Sequence, residues 1–260
     1  MTRAPLTMAL RLRVASTGSA AFGLVAVLVI VGALFPAVGG TIGKLSLPRG
    51  VSQLLGGADY ATLTGWFRSE IGAVYGPLVM GAVAITAAAA ITAGEEEDRI
   101  LALVLAHPIT RARLVAAKAG AIAVLVVMIA VAAWVGLLIG VALGGGGIGL
   151  GHTVAFAVHL AFFGLAIGAV ALAIAAGTGR RALAGGVAAA VGIIGWLING
   201  FAPLVRALDW LKYLSPFYYY AGHDPLTQGI DPGDLAVLGG VAVVLAVVAM
   251  LAFERRDLRG

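Results

Sequence analysis

The chain has 260 residues, 61% of them hydrophobic and only 11% charged, with a mean hydropathy of +1.05. A soluble domain carries about 25% charged residues, so this balance excludes a soluble fold and makes lipid the natural solvent. The net charge of +5 does not signal nucleic acid, because the basic residues stand singly or in pairs between apolar runs and read as topology signals; with no cysteines, disulfides and thiolate chemistry are excluded as well. The 38 glycines and the dominance of Ala, Val and Leu fit close helix packing in a membrane and the coding bias of a GC-rich bacterium.

A helix needs about 20 apolar residues to cross the hydrocarbon core. Six runs meet that requirement, at 20–38, 71–93, 119–143, 154–176, 182–200 and 235–253, and none contains Asp, Glu, Lys or Arg. A short interfacial segment is expected ahead of the first, around 6–14. The first run is longer than the roughly 7–15 residues of a secretory signal core, so it counts as a span. The connection 39–70 carries Tyr60, Trp66 and Phe67, residues suited to the membrane interface.

After the second span comes the segment 94–118. Glu95, Glu96, Glu97 and Asp98 are expected to open a helix, where they complement the macrodipole. Ile100, Leu103, Val104 and His107 then fall at i, i+3, i+4 and i+7, a broad apolar face. Pro108 ends that helix, since the residue before proline avoids the α region, and Arg111, Arg113 and Lys118 return the chain to the inner surface. Two readings of the face stand: an interfacial helix under its own bundle, or a coupling helix docked in a cytoplasmic partner.

The third span holds Gly136 and Gly140, the fourth Gly164 and Gly168, both at GxxxG spacing. Such pairs let helices approach closely, either within the chain or across a dimer face. The uncharged, glycine-rich stretch 144–153 between them suits a short outer turn. His159 in the fourth span is either a helix-contact residue or a proton relay. The segment 201–234 carries Trp210, Tyr213, Phe217, Tyr218, Tyr219 and Tyr220, which can anchor at the headgroups or dip back and close an exit.

Orientation follows from the basic residues. With the N-terminus in the cytoplasm, the inner segments hold 12 Lys and Arg and the outer ones 5. The positive-inside rule then places both termini and 94–118 in the cytoplasm, with 39–70 and 201–234 outside. The spans carry no carboxylate for ion coupling, and the sequence has no GxxxxGK[ST] loop, no HExxH and no GxSxG. No catalytic, metal or cofactor residue is expected.

Residues 95–118 resemble the signature loop of the type-2 ABC exporter permeases, also called ABC-2 permeases, through Glu95, Glu97, Leu101, Leu105, Ala106, Pro108, Thr110, Arg111 and Lys118. Arg99 and Ile100 stand where that family has a Gly-Thr step. The stretch from Leu214 through Ser215, Pro216 and Phe217 to Tyr218 is similar to the family's Ser-Pro segment before the last span, and residues 253–258 to its Arg-Asp-Leu tail. The resemblance implies one all-α transmembrane permease domain over 1–260, six spans, in the cytoplasmic membrane of a bacterium. It implies a homo- or heterodimer of permease subunits embedded in lipid and two separate ATPase subunits that bind the ATP. The expected coupling residues are Glu95, Glu96, Glu97, Arg99, Ile100, Leu103, Val104, Pro108 and Arg111. Ser215, Pro216, Phe217 and Tyr218 are the candidate outer gate. The dry spans suggest an apolar or amphipathic substrate. An ATP-independent membrane scaffold or assembly factor with a docking loop is the alternative.

Overall fold

The computed structural model describes residues 3–42, 59–98 and 109–256. No strand occurs among them, as expected in lipid, where a helix satisfies its own backbone hydrogen bonds. The elements are α1 (Arg3–Ile42), α2 (Leu63–Glu97), α3 (Arg111–Leu143), α4 (Leu150–Thr178), α5 (Arg181–Phe201), α6 (Pro216–Ala221), α7 (Pro225–Gln228) and α8 (Pro232–Arg255). Two short 3₁₀ stretches, Ala202–Leu204 and Arg206–Leu214, join α5 to α6. Six of these helices are long and apolar enough to cross a membrane, and each contains one of the six apolar runs.

The helices outrun the apolar windows. α1 is continuous from Arg3, so the segment around 6–14 joins the first span, which begins at Arg13, without a break in the helix. No proline interrupts it there, and Ala, Leu, Arg and Met are all good helix formers. α3 starts at Arg111, capped by the Thr110 hydroxyl, which accepts from the Arg113 amide at 3.3 Å. Lys118 therefore lies about two turns inside a helix instead of in a loop. Glu95–Glu97 end α2, where they were expected to open a helix; residues 99–108 lie outside the described residues. Acids at a helix C-terminus oppose the macrodipole, and their partners, given below, supply the compensation.

Two wide π turns, Arg68–Tyr75 and Ala90–Gly94, flank the α-helical middle of α2. The first precedes Pro77. Proline has no amide to donate and its ring crowds the carbonyl four residues back, and a π turn relaxes both demands. Trp66 and Phe67 are buried in the bundle, not spread at the interface, with the Trp66 indole donating to the Val31 carbonyl at 2.9 Å.

α4 is central, packed on α2, α3, α5 and α8. Glycines set the closest approaches. A Cβ at Gly136 would meet Val25 and Leu28 of α1, and one at Gly164 would meet Met80 of α2. Both GxxxG pairs are thus used inside the chain. Contacts of Gly32 with Gly140 and of Gly136 with Val25 set α1 and α3 parallel, and Met80 on Gly164 with Ala84 on Gly168 does the same for α2 and α4. The alternation brings residues 94–98, 109–118, 178–181 and 253–256 to one end of the bundle. The turn 144–149 lies at the other, where Gly145, Gly146 and Gly147 adopt positive φ that other residues resist.

Candidate functional site: an ionic knot and an apolar groove

At the first end the acids of α2 are tied down. Lys118 is 3% exposed, and its ammonium donates to Glu95 Oε2 at 2.8 Å and to the Ile91 carbonyl. The Arg256 guanidinium pairs with the Glu96 carboxylate. Glu97 Oε1 accepts from the Arg181 amide at 2.9 Å and so caps α5, whose own N-cap residue, Arg180, provides no side-chain bond. Arg111 reaches the frayed end of α8, donating to the carbonyl of Arg256 at 2.8 Å and of Glu254 at 3.3 Å. Cations at a helix C-terminus also suit its dipole. Gly179 closes α4 at φ 63, and a Cβ there would strike Arg256 and Glu96. The knot therefore joins the ends of α2, α3, α4, α5 and α8 on both flanks of the segment 99–108.

Of the expected coupling residues, Glu95, Glu96, Glu97 and Arg111 come together here. Arg99, Ile100, Leu103, Val104 and Pro108 lie outside the described residues.

Towards the other end, a groove of about 350 Å³ runs between α2 and α5 over α4. Pro77 and Gly81 line one wall, Gly192 and Trp196 the other, Ile167 the floor, and Phe217 one end. Leu78 and Ile193 on its lining are exposed, so it opens sideways. No lining residue is charged.

The candidate gate residues divide. The Ser215 hydroxyl donates to the Gly195 carbonyl at 2.7 Å and accepts from the Phe217 amide at 3.1 Å, which starts α6 against α5. Pro216 packs so closely that a Cβ at Gly195 would come within 3.0 Å of it. Phe217 turns inward, its ring 4.8 Å from that of Phe163, and Tyr220 lies buried beside them at 5.2 Å from Phe163. Burial pushes the Tyr220 hydroxyl up from its ordinary range. Tyr218 belongs instead to an exterior cluster with Tyr213, Tyr219 and His223. The stretch Arg206–Leu214 buries no residue, and Leu208, Trp210, Tyr213 and Leu214 are exposed, the pattern of an interfacial anchor. The Asp209 carboxylate, 2.8 Å from the Lys212 ammonium, holds that amine above its ordinary value.

A family model described as ABC-2 family transporter protein matches residues 10–258. The chain belongs to the ABC-2 transporter family. No individual curated protein matches it. Proteins of this family are membrane components of transport, not themselves catalytic, and work with a separate ABC ATPase. This ABC-2 protein carries its acids at the end of the bundle where α2 leads into residues 99–108.

Sequence reasoning missed most of the ABC-2 chain's knot partners. Lys118 was visible as a base opening the third span, but Arg181, Arg256 and Gly179 carry no local signal that assigns them to the acids. The matched supply of four acids and nearby bases was the one hint. The groove was invisible because its walls come from α2, α4 and α5, each of which reads only as an apolar run.

Proposed function

We propose that this chain is the membrane-spanning permease subunit of an ATP-driven exporter. It moves an apolar or amphipathic substrate across the cytoplasmic membrane with energy from separate ATPase subunits. The observation that carries this reading is the ionic knot. It fastens both flanks of the segment 99–108 to the ends of five helices, so a push on that segment reaches five of the six spans directly. The apolar face of Ile100, Leu103 and Val104 supplies the docking surface for an ATPase, and two of each subunit complete the transporter.

The groove supports the substrate class. It lacks charge, opens towards lipid, and ends on Phe217, where the Ser215 cap and Pro216 hold α6 as an outer gate. α5 forms one wall yet buries little of itself, leaving Val191, Ile193, Ile194 and Leu197 exposed for a second permease subunit to cover.

The test is reconstitution. Alone in liposomes, the chain should hydrolyse no more ATP than empty liposomes do. With its co-isolated ATPase it should hydrolyse ATP and export an amphipathic fluorescent reporter. Ion-gradient-driven uptake by the lone chain would contradict the proposal, and an absence of any ATPase partner would leave the scaffold alternative standing.

A further inference from the structure

At the opposite end of the bundle from the knot, three side chains converge that the transport reading does not use. His223 follows α6, and Asp231 and Asp234 open α8. The His223 Nδ1 lies 2.6 Å from Asp234 Oδ2 and 3.9 Å from Asp231 Oδ2, and the three ligand atoms fall within 4.8 Å of one another. We propose that His223, Asp231 and Asp234 bind a divalent transition metal of the zinc class, which fastens the hairpin after α6 to the start of α8.

The donor set suits such an ion. Zinc binds imidazole nitrogen and carboxylate oxygen at about 2.0–2.2 Å, with water completing a tetrahedron. Ligand atoms around it then stand about 3.3 Å apart, between the two separations seen here. Magnesium and calcium prefer all-oxygen shells, so the nitrogen selects against them. The carboxylates are preset. Asp231 Oδ1 accepts from the Asp234 amide at 3.0 Å as the helix cap, which leaves Oδ2 turned to His223. Asp234 is only 5% exposed, a carboxylate that needs a positive partner. The His223 side chain is half-exposed, which gives an entry path and room for the water ligand.

A second observation comes from α4. His159 is 1% exposed, and its Nδ1 lies 2.9 Å from the Ala155 carbonyl, to which only a protonated nitrogen can donate. In the neutral ring Nε2 keeps its lone pair, and it has no partner. A buried, unpartnered imidazole thus stands on α4, the helix against which α7 and α8 pack. Seven residues separate His223 from Asp231, so no short metal motif shows in the sequence.

The consequence is local. The His223 ring meets that of Tyr218 edge-on at 6.0 Å, and Tyr218 adjoins Phe217 in α6. A bound ion would stiffen the segment that ends the groove.

The experiment uses the full chain in nanodiscs, purified through a tag without histidine, with zinc itself as the probe. The wild-type chain should bind one zinc per chain by elemental analysis, gain thermal stability with it, and ignore magnesium. His223→Gln and Asp231→Asn should each weaken zinc binding at least about tenfold and abolish the thermal gain. Asn still caps a helix and Gln can still donate to Asp234, so the metal-free unfolding midpoints should match the wild type. His107→Ala, which leaves all three ligands in place, should bind as the wild type does. No zinc above background on the wild type, or equal binding by both site variants, overturns the proposal.

Discussion

Lys118 sits where a lysine should be costly, buried on α3 and away from solvent. Its cost is offset by two acceptors, the Glu95 carboxylate and the Ile91 carbonyl. Removing one partner of a buried pair leaves an uncompensated charge and costs about 3–5 kcal/mol, whereas replacing both is often neutral. Glu95→Gln and Lys118→Met should therefore each lower the unfolding midpoint in nanodiscs by several degrees, while the double variant should recover most of that loss. A double variant no better than the sum of the singles would mean the pair contributes nothing as a pair. At this scale the sequence showed the acids and the bases but not their pairing. Glu95 and Lys118 are 23 positions apart, Glu96 and Arg256 are 160 apart, and charge patterning cannot span such separations.

Helices were the most legible level, because a run of some 20 apolar residues has few other uses. Their ends were less so. Hydropathy marks the part of a helix that meets lipid tails, whereas α1 starts at Arg3 and α2 runs to Glu97, beyond the apolar runs. For the segment 201–234 the sequence left two readings open, an anchor or helices that dip back, and the structure holds both an exposed stretch, Arg206–Leu214, and an inward-facing α6. Phe217 and Tyr218 are neighbours of similar type, and only packing on Phe163 separates their roles. GxxxG spacing left internal and dimer contacts open, and the α1–α3 seam shows the first pair to be internal. There a Cβ at Gly140 would stand 2.5 Å from the Leu28 carbonyl oxygen and 2.9 Å from Phe67. Overpacking of this kind costs about 1–3 kcal/mol. Gly140→Val should lower the midpoint clearly, and Gly185→Val, where a Cβ meets nothing within 4 Å, should change it little. Equal effects would remove the packing explanation.

For the whole molecule, the alternation of six helices gathers the knot at one end and the aromatic segment at the other, and we propose from the basic-residue split of 12 to 5 that the knot faces the cytoplasm. Single cysteines report this directly, since the chain has none. In intact cells an impermeant thiol reagent should label Ala61→Cys and leave Ala116→Cys unlabelled, both positions being exposed. The reverse pattern would invert the molecule and move the knot away from any cytoplasmic ATPase.

The central claim is that an ATPase drives this bundle through the segment between α2 and α3. Co-purification of the ATPase with Leu103→Glu tests it most directly. Burying an unpaired charge costs several kcal/mol, which lowers affinity by roughly a thousandfold at about 1.4 kcal/mol per factor of ten. The variant should insert with an unchanged unfolding midpoint, yet lose the ATPase and the transport. If Leu103→Glu unfolds the subunit, the face packs on its own bundle; if it folds, keeps its ATPase and still transports, this segment is not the lever and the account is contradicted.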